Sequence, residues 1–176
     1  MPDALRITLI VIASIVAAWL LLLIVNLIFV GSYLSIFNKH RRAIVVILCT
    51  KLENMQKLFA VIHQSGVDVD NRLTMLLNDV HPEDFNEVGS QAYQKSNNGL
   101  SYLYDEIMFV ANHNSDLLNN ADFIQAKNNI IESDQIYRNN VMMYNADVLG
   151  YNYWIRFLPC AFVFKLFRVK KKQIIS

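Results

Sequence analysis

The sequence predicts an all-α protein in which an N-terminal transmembrane helix continues into an antiparallel cytoplasmic helical bundle. Three observations predict it. From Ile7 to Asn38, thirty-two residues pass without an Asp, Glu, Lys or Arg. Gly and Pro number only five and three among 176 residues, too few for the frequent turns of a β protein. Beyond the charge-free run, apolar residues recur at spacings of three and four, and no alternating strand pattern appears.

The elements follow in order. Residues 1–6 form a short polar tail, and residues 7–31 form the span. A bilayer's hydrocarbon core is about 30 Å thick, which a helix rising about 1.5 Å per residue crosses in about 20 residues. A cleavable signal has a shorter apolar region followed by a small-x-small site. Gly31-Ser32 is the nearest candidate, and Tyr33-Leu34 and Ile36-Phe37 carry the apolar character past it. The span therefore reads as an uncleaved anchor. Orientation follows from basic residues near its ends: Arg6 on one flank, and Lys39, Arg41 and Arg42 around His40 on the other. That places the N-terminus outside and the remaining chain in the cytoplasm. Asn26, inside the span, is a candidate for hydrogen bonding between anchors of an oligomer. Cys49 and Cys160 read as free thiols in a reducing compartment.

Residues 32–159 read as the bundle. Ile44, Leu48, Met55, Phe59 and Ile62 continue the first helix until Ser65-Gly66. A short helix follows from about Val69 through Leu73, Leu76, Leu77 and Val80, with Asp68 or Asp70 as cap and His81-Pro82 as stop. Pro82-Glu83-Asp84 suits a first helical turn. Gly89-Ser90 and the polar run Gln94–Gly99 weaken whatever helix lies between. The pattern recovers at Leu100, Leu103, Ile107, Val110 and Leu117, with a turn at Asn112–Ser115 or Asn119-Asn120. The last helix carries the clearest seam: Tyr137, Val141, Tyr144, Val148, Tyr151, Ile155 and Leu158, closed by Pro159.

Residues 160–176 mix rings with cations: Phe162, Phe164, Lys165, Phe167, Arg168 and Lys170-Lys171-Lys172. Such a segment suits an anionic membrane surface, rings inward and ammonium groups on headgroups; an ordinary tail docked on the bundle suits it equally. Asn145 and Asn152, seven residues apart beside Tyr144 and Tyr151, return to one helix face and can fix the register of packed helices. Arg156 near that helix's end can complement its dipole or pair with a neighbouring acid.

The formal net charge is +1, and no overall basic excess points to nucleic acid. His63, His81 and His113 lack ligand spacing, and no phosphate loop, nucleophile elbow or His-Glu-x-x-His motif occurs. The expectation is a protein without enzymatic chemistry, metal or cofactor. It acts as a scaffold or interaction module at the membrane, self-associating or meeting another membrane or cytoplasmic protein. The alternative is a sensor or remodeller of anionic lipid working through the C-terminal segment.

Tyr144-Asn145 and Tyr151-Asn152, followed by Ile155-Arg156 and Pro159, resemble the signature of the LemA family of small bacterial membrane proteins. Asn97-Asn98, Leu100-Ser101, Asp116-Leu117, Asn120 and Phe123-x-Gln125 extend the likeness upstream, and Glu132-Ser133-Asp134 resembles the family's acidic stretch. Residues 53–62 and 112–116 depart from it, lacking the family's arginines and its Tyr-Pro-Asp turn. The resemblance implies an antiparallel bundle on one anchor in a bacterial cytoplasmic membrane, and no established chemistry.

Overall fold

The computed structural model describes residues 3–67, 71–157, 161–166 and 168–175. Every regular element among them is helical. The order is α1 (Asp3–Gln64), α2 (Asn71–Asn78), a 3₁₀ turn (Pro82–Asn86), α3 (Gln91–Asn112), α4 (Ser115–Leu118), α5 (Ala121–Trp154) and α6 (Ala161–Leu166). The long N-terminal helix packs antiparallel against α5, making a helical bundle. The proposed cap residues Asp68 and Asp70, together with Leu158, Pro159, Cys160 and Phe167, lie outside the described residues.

The chain divides into two compact units. One joins residues 1–38 to residues 145–174; the other holds residues 39–144 with residues 175–176. α1 and α5 contribute to both.

In the second unit, Ile44, Leu48, Met55, Leu58 and Ile62 of α1 are buried, one or two to each turn. Leu100, Leu103 and Ile107 of α3, and Phe123 and Ile130 of α5, are buried with them. Removing each such side chain from water contributes about 1.5–3 kcal/mol. Polar pairs fix the alignment of α1 and α5. His40 Nδ1 lies 3.3 Å from Asn140 Oδ1, and Lys51 Nζ lies 2.6 Å from Asp134 Oδ1. Asn129 Nδ2 donates to Asn54 Oδ1 at 3.5 Å. Ascending α1 meets descending α5, as antiparallel neighbours must.

The stretch that looked weakest in sequence is ordered by caps. Gly89, at φ +88°, turns the chain into the left-handed region. Ser90 then accepts from the Tyr93 amide at 3.0 Å and starts α3. Gln94–Gly99 is therefore helical. Gly99 is kept small by Val80, whose methyl would stand 3.1 Å from an added Cβ. The acids before α3 are not simply solvated: Ser96, buried, donates to Asp84 at 2.6 Å, and Phe85 is fully buried beside it. Arg41 donates to the Asn86 carbonyl and holds the same turn to α1. Asn120 Oδ1 accepts from the Asp122 and Phe123 amides and opens α5. α5 stops at Trp154, short of the expected Leu158, because Ile155 to Phe157 close a turn on the last helical carbonyls.

The Tyr93 and Tyr137 hydroxyls lie 2.8 Å apart inside this unit. Burial, and then the bond to Tyr137, push the Tyr93 phenol up from its ordinary value; burial pushes Tyr137 up against the lowering bonds from Tyr93 and Asn97. Both phenols hold their protons more tightly folded than unfolded, so the unfolded chain loses protons first as pH rises. These two phenols are expected to make stability fall above about pH 10, the unfolded tyrosine value. Melting curves against pH check this, and the Tyr93→Phe, Tyr137→Phe double variant should show a shallower fall.

Candidate functional site

The first unit gathers what the sequence singled out. From Leu5 to about Val25 one side chain after another on α1 is exposed, all around the helix. An 18-residue window here has mean hydropathy 2.9 and none of it is covered by protein. From Leu23 onward the helix gains a companion. Tyr151, Ile155 and Phe164 form a buried cluster against Leu23, Val30, Tyr33 and Val169. The tyrosine seam thus covers the upper part of the charge-free run, including residues of the expected span.

Two contacts set this packing. Asn26 is only 1% exposed, and its Nδ2 donates to the Trp154 carbonyl at 3.3 Å. That carbonyl ends α5 and also accepts from the Phe157 amide at 3.1 Å, so the Asn26 side chain is its second donor, within one chain. Asn26 thus engages its Nδ2 within its own chain. Its Oδ1 is buried and meets no partner among the described residues. Beside it the Phe29 and Trp154 rings stack at 4.6 Å, almost parallel. Tyr153 meets Trp154 edge-on at 5.7 Å, and Phe157 packs 5.4 Å from it.

Gly150 is the second requirement, and no pattern in the sequence announced it. A Cβ there would lie 2.5 Å from Tyr33 Cε1 and 2.7 Å from Cζ. Alanine usually strengthens a helix by about 1 kcal/mol over glycine. Here the Tyr33 ring must leave its cluster, an overpacking cost of about 1–3 kcal/mol. Gly150→Ala is therefore expected to lower the melting temperature, which thermal unfolding in mild detergent reads directly.

The Asn152 side chain meets the C-terminal segment. Its Nδ2 donates to the Lys172 carbonyl at 2.9 Å and its Oδ1 accepts from the Lys172 amide at 2.9 Å. Tyr151 donates its hydroxyl proton to the Lys170 carbonyl at 3.3 Å. The Lys172 ammonium sits 5.6 Å above the Phe37 ring. One Tyr-Asn pair thus holds the basic tail by its backbone. In the other, Tyr144 is buried and Asn145 half-buried.

α6 is short and two-sided. Phe164 faces the cluster, while Phe162 and Leu166, four residues apart, are 73% and 70% exposed. The helix ends with Arg168 N bonded to the Lys165 carbonyl and Val169 N to the Phe164 carbonyl. Arg168 takes φ +53° at that stop, where glycine is the usual residue. Arg168→Gly should raise stability by about 1 kcal/mol, which denaturation of the variant beside the parent chain checks. Lys165, Arg168, Lys170, Lys171 and Lys172 are all exposed.

No protein-family model, curated protein or solved structure matches the chain.

Arg156 is exposed and forms no ion pair among the described residues, so the acid considered for it in the sequence is not beside it. It lines an open groove of about 520 Å³ with Leu149, Asn152, Tyr153 and Phe157. The second unit has a different concavity, about 340 Å³, polar and rich in carboxamides. Asn54, Gln64, Gln125 and Asn129 line it with Lys57 and Asp122, and small Ala60 and Ala126 leave it open. Among the described residues no group of three His, Cys, Asp or Glu side chains is placed to hold a metal ion. Cys49 is half-buried, and burial followed by the Glu53 carboxylate pushes its thiol up, away from reactivity.

Proposed function

We propose that the chain is a non-enzymatic, single-pass membrane protein of bacterial type whose helical bundle serves as an interaction module at the cytoplasmic face and self-associates. One observation carries it: the apolar arm of α1 is long enough to cross a bilayer and bare on every side. A helix apolar all round is stable only inside protein or lipid, and none of the described residues of the chain bury this one. Arg6 on one flank against Lys39, Arg41 and Arg42 on the other supports an outside N-terminus. The carboxamide cleft supports the interaction role, since amide side chains pair with the main chain of an extended polypeptide. Exposed Phe109, Met142 and Met143 add apolar area for a second copy. Kinship with the LemA family belongs to the same proposal and rests on the Tyr-Asn pairs with Arg156. Single cysteines at Asp3 and Asn119, in a Cys49→Ala, Cys160→Ala background, test the topology. An impermeant thiol reagent on whole cells should label the first and spare the second; the reverse, or both labelled, refutes it. Crosslinking in native membranes tests self-association, and a purely monomeric pattern counts against it.

A second reading has its own observation. Exposed Phe162 and Leu166 on α6, among Lys165, Arg168 and Lys170–Lys172, match an interfacial lipid-binding segment that senses or remodels anionic membrane. Replacing Lys170, Lys171 and Lys172 with Gln should reduce protection of α6 from protease on anionic vesicles. Unchanged protection removes this reading.

A further inference from the structure

We propose that the carboxamide cleft of the 39–144 unit binds a free peptide of two or three residues in extended form, its carboxylate among Lys57, Asn54 and Asn129 and its ammonium at Asp122. The proposal rests on the reading of this cleft as an interaction site and gives it a ligand class, a length and a polarity.

The donors gather at one end. α1 supplies Asn54 and Lys57, and α5 supplies Asn129. Asn54 is 4% exposed; its Nδ2 donates to the Thr50 carbonyl at 2.9 Å, and its Oδ1 accepts from Asn129 Nδ2 at 3.5 Å. A carboxamide nitrogen carries two hydrogens. Each asparagine therefore keeps one N–H that no described residue accepts, and Lys57 forms no ion pair among the described residues. Three such donors in one recess suit a carboxylate, because charge-assisted hydrogen bonds are about twice as strong as neutral ones.

The acid stands at the other end. α1 and α5 run antiparallel with Asn54 against Asn129. Asp122, seven residues earlier on α5, therefore lies about level with Val61 on α1. Seven helical residues rise about 10 Å. An extended chain spans at most about 3.3–3.6 Å per residue, so two or three residues join the donors to this carboxylate. Asp122, like Lys57, forms no ion pair among the described residues. Between the ends, Gln125 offers an amide donor and a carbonyl acceptor to a peptide group. Ala60, Val61 and Ala126 place only small aliphatic groups against the main chain. None of the lining residues is aromatic, so a nucleobase finds no stacking platform. The cleft's volume of about 340 Å³ falls near the lower end of the range for small ligands, about 300–1,000 Å³.

The test titrates the full chain in mild detergent, by calorimetry, with trialanine, N-acetyl-trialanine and trialanine amide. Trialanine should bind saturably, one per chain, with Kd below about 1 mM. The amide should bind about tenfold more weakly and the N-acetyl form about fivefold. Lys57→Gln should erase the difference between trialanine and its amide. Asp122→Asn should erase the difference between trialanine and its N-acetyl form. Both residues are exposed, so neither change disturbs the core, and melting curves check this. Ala60→Leu, which fills the cleft from an exposed position, should weaken all three forms at least about tenfold. No saturable binding of any form overturns the site together with the reading of the cleft. Equal binding of trialanine and its amide, or a difference untouched by Lys57→Gln, overturns the polarity. N-acetyl-trialanine binding as tightly as trialanine would give the cleft to the C-terminus of a protein and overturn the free peptide, with the interaction site kept. The titration needs neither a bilayer nor a second copy, so failure here leaves the anchor and self-association to their own tests.

Discussion

Asp134→Ala is expected to destabilise the 39–144 unit by about 3 kcal/mol, through the lysine it leaves behind. Lys51 is 6% exposed, and its ammonium lies 2.6 Å from the Asp134 carboxylate. Removing the acid strands a cation with little access to water. Asp134 itself is about one-third exposed, which softens the loss relative to a fully enclosed pair. The reciprocal change is milder, because Asp134 can turn to water when Lys51 becomes Met. The Lys51→Met, Asp134→Leu pair should recover most of the stability, since apolar packing can replace a buried ion pair without net cost. Urea unfolding in mild detergent, arranged as a double-mutant cycle, separates these terms. Equal losses for both single variants and their sum for the double would mean that the pair does not act together.

The larger effect concerns the arm of α1. Placing Arg at both Ile12 and Val16, near the middle of the uncovered stretch, should cost about 2.5–3.5 kcal/mol for each residue on insertion scales. Together that is about a 10⁴-fold shift in partition. The doubly substituted chain is expected in the soluble fraction after alkaline carbonate extraction, with Ile12→Leu, Val16→Leu retained in the pellet. Retention of the arginine variant would mean that something other than lipid covers this face. The two predictions are independent, because one acts on residues 39–144 and the other on residues 12–16.

How much of this was legible beforehand differs by element. The first helix could be read from Ile7 to Gln64 because a charge-free run joins an apolar period at Ile44, Leu48, Met55 and Ile62, all local information. The tyrosine seam was legible for the same reason, and Tyr144, Val148, Tyr151 and Ile155 are buried as expected. What covers it was not legible, because Leu23 and Val30 fall inside the expected span. The start of α3 was obscured by glycine and serine, which weaken a helix interior but turn and cap its first residue. Lys51 with Asp134, and Asn26 with Trp154, join residues far apart in the chain. No periodicity reports such pairs. Of the site residues, the basic tail and the Tyr-Asn pairs were visible as types, but the tail's attachment to Asn152 was not. A carboxamide can meet another amide side chain, a backbone or water, and sequence does not choose among them.

That attachment is blind to side chains. Asn152 grips residue 172 by both its N–H and its C=O, as a neighbouring β-strand would, so any residue other than proline can thread through it. Apart from Lys172, whose ammonium also sits over the Phe37 ring, the charge carried by the tail can therefore be raised, lowered or inverted by substitution without loosening the thread. Electrostatic tuning and mechanical retention are uncoupled in a few residues, leaving natural variants free to adapt one while the other stays put.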